Sequence, residues 1–225
     1  MLYLWIPFLL TVFFVWATIL ETVAHFLIHG SSFNATPDNS NPSIHNRVAI
    51  PLLLRAACAV SFLAAFYTYL PEHPIYFIFI SALWITVYTD LNYMLISRLV
   101  SLYLVPVGFI ASALGLLAIS LTEAVLAAAF AGGFLMTTNA IFKIFKGHDG
   151  LGQGDIELLA FIGAWIGFLG TWCTIVIAST LGTIVGAAYL LWTRQQTRIL
   201  PFGPFLAFGA LMFLRYSETL GLLFF

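Results

Sequence analysis

The feature that most constrains this chain is how little of it can face water. Apolar runs follow one another from residue 2 to residue 224 with few interruptions. Hydrophobic residues make up 62% of the 225 positions and charged residues 8%. An ordinary soluble domain is about one-quarter charged. Mean hydropathy is +1.04. So few charges cannot cover so much apolar surface, which makes lipid the expected solvent. A helix needs about 20 apolar residues to cross a bilayer. The runs predict an all-α fold, a polytopic membrane helix bundle forming a single integral membrane domain over 1–225. About eight spans are expected, near 2–28, 48–70, 74–90, 98–120, 122–145, 155–170, 171–192 and 202–224. The composition is too apolar for disorder. The net charge of −1 points to no nucleic-acid partner. Cys58 and Cys173 lie far apart in apolar runs and read as small buried residues, without a disulfide framework or a thiolate metal site.

Basic residues orient the bundle. The first segment has no basic start and is too long for a cleavable signal, so it reads as a permanent span. The stretch Gly30 to Arg47, rich in Ser, Asn and Pro, reads as a flexible loop. Arg47 and Arg55 flank the start of span two, and Arg98 follows span three. Lys143 and Lys146 close span five, and Arg194 and Arg198 follow span seven. The alternate connections at 71–73, 121 and 170–171 carry no basic residue. That alternation puts the basic loops in the cytoplasm and both termini outside. Arg215, within the last run, fits no loop and is expected to snorkel or to pair with a buried polar group. Glu21 and His25 stand four apart on one face of span one and are expected to pair. His29 and His45 match no zinc spacing.

Acidic groups inside apolar segments cost about 2.5–3.5 kcal/mol at a helix centre and are functional candidates by default. Asp90 ends one apolar run and Asp155 opens another, both at the cytoplasmic end of their spans in this topology. Taken alone, Asp155 also reads as a helix cap. Ahead of it, Gly147-His148-Asp149-Gly150-Leu151-Gly152-Gln153-Gly154 holds four glycines in eight residues, which disfavours helix. Irregular backbone at membrane depth must be packed in protein or line a watery cavity. The span that follows, to Gly170, is about 24 Å long against a hydrocarbon thickness of about 30 Å. Asp155 is therefore expected near membrane depth with water beside it, a setting suited to hydrolysis.

Gly152-Gln153-Gly154-Asp155, followed by Ile-Glu-Leu-Leu-Ala-Phe-Ile-Gly-Ala-Trp-Ile-Gly, resembles the GxGD box of bacterial type IV prepilin peptidases. Asp90-Leu-Asn-Tyr-Met-Leu-Ile-Ser resembles that family's other catalytic box, and Pro201-Phe202-Gly203-Pro204 the segment that starts its last span. The three matches keep the family's order across about residues 75–225. The resemblance implies a peptidase core over 74–225, with 1–73 as a divergent two-span region. It implies an intramembrane aspartyl endopeptidase with Asp90 and Asp155 as the catalytic pair. Gly152, Gly154, Pro201, Gly203 and Pro204 would position the substrate. The implied substrates are prepilins and pseudopilins, each with a basic leader, a Gly at the cleavage point and then an apolar helix. The implied location is the bacterial inner membrane, as a multi-pass protein among lipid.

Several positions depart from the family. The first cytoplasmic loop is short and lacks the paired Cys-x-x-Cys that hold zinc, so neither zinc nor S-adenosylmethionine is expected as a cofactor and N-methyltransferase activity is not expected. Leu54 and Arg55 stand where an acidic residue is usual, Ser97 replaces Pro, and Glu157 replaces Lys. Asp149 and Glu157 could attract a basic leader, though loop and helix-start acids are the plainer reading. The alternative from another class is a small ion- or proton-coupled transporter with Asp90 and Asp155 as its ion site.

Overall fold

The computed structural model describes residues 6–31, 56–61, 74–193 and 201–224. All regular structure among them is helical. The elements are α1 (Ile6–Ser31), α2 (Tyr76–Tyr93), α3 (Leu104–Ala113), α4 (Leu121–Lys146), α5 (Gln153–Thr193) and α6 (Gly203–Phe224). A further helical stretch covers 56–61. Most of the second expected span, and the loop expected up to Arg47, lie outside the described residues. By length and composition, two helices could cross a membrane, Leu121–Lys146 and Gln153–Leu191.

The run expected as one span at 98–120 is not one helix. Residues 94–97 are irregular and 98–103 are turns, α3 has only 10 residues, and the chain turns again before α4. At about 1.5 Å per residue, α3 is about 15 Å long. Two side chains bond the backbone around the break, one reaching from α5 to the first residue of α3 and one from α3 to the turn that follows it. The Trp165 indole N–H donates to the Leu104 carbonyl at 3.0 Å, and the Ser112 hydroxyl donates to the Ile119 carbonyl at 2.7 Å. Gly115, at φ 70°, takes the left-handed conformation after α3.

The break expected at 170–171 falls earlier, at Gly167, whose φ of 75° and ψ of −174° lie outside the helical region. Contacts on either side show the chain reversing there. Before it, α5 runs antiparallel to α4. A side chain at Gly163 would meet the Ala127 backbone, and Gly132 faces Ala160. After it, Phe168 and Trp172 pack back onto Phe130, with ring centroids 4.7 and 6.3 Å apart, and Trp172 also packs on Phe134. The second arm of α5 then runs beside α6, with Gly209 on Thr174 and Gly182 facing Phe202 and Phe205.

The core centres on Trp165, which is fully buried. Its ring stacks on Phe79 at 5.5 Å and leans on Phe161 at 5.8 Å. Glycine lets α3 come close, since a Cβ at Gly108 would lie 2.8 Å from the indole nitrogen. In lipid, where burying apolar surface drives little association, such small-residue contacts hold helices together by close packing. Along α1, the Trp16 indole donates to Ser81 at 3.2 Å and the Tyr88 hydroxyl donates to Glu21 at 3.2 Å. Glu21 thus has a partner on α2, whereas the side chains of His25 and His29 and all of His45 lie outside the described residues. Arg215 is exposed, with its guanidinium 5.2 Å from the Tyr216 ring. Cys58 and Cys173 are buried and free.

Gly163→Val tests this packing. A Cβ there would lie 2.8 Å from the Ala127 carbonyl oxygen. The substitution should force α4 and α5 apart and cost about 1–3 kcal/mol, read as a lower thermal midpoint in detergent. An unchanged midpoint would contradict the close contact.

Candidate active site

Four helix ends meet at one end of the bundle: the C-termini of α2 and α4 and the N-termini of α5 and α6. Asp90 lies in the last turn of α2 and is buried, at 6% exposure. The helix stops just beyond it because Met94 adopts a left-handed conformation, φ 54° and ψ 35°, while its N–H donates back to the Asp90 carbonyl. Among the described residues Met94 is the one non-glycine residue with positive φ. Such a conformation costs an L-residue about 1–2 kcal/mol. The turn it makes sends residues 95–97 back across the end of the bundle.

Asp90 is held by the start of α6. Its Oδ2 accepts the Gly203 N–H at 2.9 Å. The sequence at this helix start makes that donor available. Phe202 O accepts from Phe205 and Leu206 at 3.0 and 3.2 Å, and Pro204 has no N–H. The first-turn N–H left over is Gly203's, at the positive end of the helix dipole. Gly203 leaves no room for a side chain, since a Cβ would lie 2.7 Å from Asp90 Oδ2 and 3.4 Å from Ile96 Cδ1.

Asp155 sits in the first turn of α5 and is partly buried. The Asp155 N–H donates to the Gly152 carbonyl at 3.2 Å, and a Cβ on Gly152 would lie 3.3 Å from Asp155 Oδ2. Asp155 is the third residue of α5, so it is not the N-cap that the sequence alone suggested, and its carboxylate faces the preceding loop at Gly152. The charge on Asp90 acts on Asp155. Ile96 ties the two boxes together. A Cβ on Gly154 would lie 2.8 Å from that of Ile96, and the same Ile96 side chain faces Gly203. The structure therefore brings Gly203 with Asp90, and Gly154 with the adjoining Gly152 and Asp155, to the two sides of one isoleucine. Pro201 and Pro204 flank the start of α6, both partly buried. The space at Gly154 and Gly203 is filled from within, by Ile96 and Asp90, so both glycines shape the site through these side chains.

The two nearby acids have partners of their own. Glu157 Oε1 pairs with Arg98 Nε at 3.2 Å, the Glu157 side chain being 9% exposed and that of Arg98 65%. Asp149 pairs with Lys143 at 3.1 Å. Sequence reasoning missed three participants: Ile96, the Arg98–Glu157 pair and Asn139. Asn139 did leave a signal, an amide in an otherwise apolar helix four residues before Lys143. Among the described residues, no three His, Cys, Asp or Glu side chains gather as a metal site would require.

Separate helices thus deliver Asp90 and Asp155 to one end of an apolar helix bundle. Residues 77–187 match the model of the type IV leader peptidase family. The Pseudomonas aeruginosa prepilin leader peptidase/N-methyltransferase is 34% identical over 132 residues, 58% of this chain and 45% of the relative. A protein of the same name from Aeromonas hydrophila is 31% identical over 134 residues, 59% of this chain and 46% of the relative. Another from Pseudomonas putida is 43% identical over 75 residues, 32% of this chain and 26% of the relative. The matches thus span less than half the length of these relatives. They do not favour the transporter alternative. No solved structure matches the chain.

The Arg98–Glu157 pair joins the 95–103 turn to the start of α5, and its worth is unequal from the two sides. Arg98→Ala leaves a buried carboxylate without its cation and should cost about 1–3 kcal/mol. Glu157→Gln leaves an exposed guanidinium in water and should cost less. Equal losses in chemical denaturation would contradict the buried ion pair.

Proposed function

We propose that this chain is an intramembrane aspartyl endopeptidase that removes the basic leader from type IV prepilin or pseudopilin precursors. The observation that carries the reading is that Gly203, which holds Asp90, and Gly154, the neighbour of Asp155, lie against the same Ile96 side chain, so the end of α2 and the start of α5 meet there. The match to the family model over 77–187 supports it independently.

The chemistry follows from two carboxylates held close together. Both cannot ionise easily, so the pair carries one proton between them. The ionised member takes a proton from water as that water attacks the scissile carbonyl. The protonated member hydrogen-bonds the carbonyl oxygen and then protonates the leaving amine. The pair titrates as a unit, and activity falls when it holds two protons or none. The Gly203 N–H fixes one oxygen of Asp90 and leaves the other for the reaction. Gly152 lies against the Asp155 carboxylate, where a Cβ would be 3.3 Å from Oδ2. Gly152, Gly154, Pro201, Gly203 and Pro204 position the substrate by setting the walls around these oxygens.

In the proposed setting the chain makes about eight passes of the bacterial inner membrane, with both termini outside and the two Asp residues at the cytoplasmic face. Lys143, Lys146 and Arg98 lie at the end of the bundle that holds the site, which supports that orientation. A basic leader would stay on that side while the apolar stem sits in lipid. The catalysis proposed here needs neither zinc nor S-adenosylmethionine, and the product keeps an unmethylated amino terminus.

The test is conversion of a prepilin by the full chain in proteoliposomes, followed on a gel and by mass. The chain should shorten the precursor at its leader. Asp90→Asn and Asp155→Asn should each lower the rate on the order of 10³-fold or more. Full processing by both variants would refute the mechanism. A methyl group on the new terminus would refute the cofactor-free reading.

A further inference from the structure

We propose that Asn139 is a positioning residue whose side-chain amide clamps the glycine loop 147–152 and so holds Asp155 in place for cleavage. The proposal rests on the peptidase reading above. The glycine loop has little conformational preference of its own, because Gly147, Gly150 and Gly152 recur within six residues. What holds it is one face of the last two turns of α4. Asn139 Oδ1 accepts two backbone N–H groups, from Gly150 at 2.8 Å and from Leu151 at 3.0 Å. Asn139 Nδ2 donates to Asp149 Oδ1 at 3.2 Å, and Lys143 Nζ donates to Asp149 Oδ2 at 3.1 Å. Two N–H donors converging on one oxygen settle which way the amide points. Phe142 completes the face. Its ring lies against Gly150, where a Cβ would be 2.5 Å away. Residues 139, 142 and 143 follow the i, i+3, i+4 spacing of one helix face.

The clamp reaches the site through a short piece of chain. The Leu151 N–H is held by Asn139, and the next residue, Gly152, accepts the Asp155 N–H at 3.2 Å and lies against the Asp155 carboxylate, where a Cβ would be 3.3 Å from Oδ2. Nothing within α4 needs the amide, since a helix builds its ladder from backbone alone. A misplacement of about 1 Å at a reacting group costs about a hundredfold in rate. The loop geometry therefore bears on turnover more than on substrate binding.

The experiment uses the full chain in detergent or proteoliposomes, with two readouts: amide hydrogen exchange at residues 150 and 151, and steady-state cleavage of a prepilin. Asn139→Leu should expose both amides to exchange and lower kcat by about tenfold or more while KM moves less than about twofold. Asn139→Asp alone sets two carboxylates side by side and should slow cleavage similarly. Combining Asn139→Asp with Asp149→Asn swaps donor and acceptor and restores the same hydrogen bonds. The double variant should regain kcat to within about threefold of the original chain. Thr138→Ala, whose hydroxyl bonds only to the Phe134 carbonyl among the hydrogen bonds described, should change neither readout. Unchanged kcat in Asn139→Leu, or a double variant as slow as Asn139→Asp alone, would overturn the proposal. If Asn139→Leu fails to fold, the near-isosteric Asp and Asn exchanges decide it. A chain that leaves prepilin uncleaved refutes the peptidase reading. In that case, equal exchange at 150 and 151 in the original and Asn139→Leu chains would refute the clamp separately.

Discussion

A carboxylate can be buried at the end of a helix bundle only if something donates to it, and here the donor is the Gly203 N–H. Asp90 is 6% exposed and accepts that N–H at 2.9 Å. Much of the site follows from this one bond. The donor must be a first-turn N–H, so α6 must begin beside Asp90. Pro204 cannot supply it and Phe205 is already used, which leaves Gly203. The residue at 203 must then lack a side chain, because Asp90 Oδ2 and Ile96 occupy the space a Cβ would take. Asp155 lies in the first turn of its own helix, against Gly152. Both acids thus sit at positive helix ends, where backbone donors are free and the dipole favours negative charge.

The same economy explains why so irregular a region can sit within so apolar a chain. The 94–103 segment is tied to α5 at its end by the Trp165 bond to Leu104 and within it by the Arg98 pair with Glu157. The 147–152 loop is held by Asn139 and Lys143. Each non-helical segment beside the site is thus tied to a neighbouring helix by polar side chains, and in the glycine loop Asn139 satisfies backbone N–H groups directly. The helices that carry those side chains approach closely at Gly108, Gly163 and Gly209, where a Cβ would strike a neighbour at 2.8–2.9 Å.

The parts of this arrangement that were legible in the sequence are those that one residue can signal alone. An acid in an apolar run, four glycines in eight residues and a Pro-Phe-Gly-Pro segment announce Asp90, Asp155 and the start of α6. The helical class was legible too, because length and hydropathy are enough for it. The break of 98–120 into turns around a 10-residue helix was not. Hydropathy measures how apolar a segment is and not how its backbone is bonded, and the stabilising indole comes from Trp165, 61 positions from Leu104. The reversal at Gly167 instead of 170–171 turns on which of two glycines takes positive φ, a choice made by packing against α4. Asn139 and the Arg98–Glu157 pair went unread because their meaning lies in partners that the sequence does not place beside them.

The central claim is that Asp90 and Asp155 act on the same peptide bond. Its most direct measurement is a structure of the chain in lipid with a peptide whose scissile carbonyl is replaced by a tetrahedral hydroxyl. The account predicts the hydroxyl oxygen within about 2.6–3.2 Å of a carboxylate oxygen from each residue. A hydroxyl bound by one acid only, or a peptide lodged elsewhere in the bundle, would contradict it.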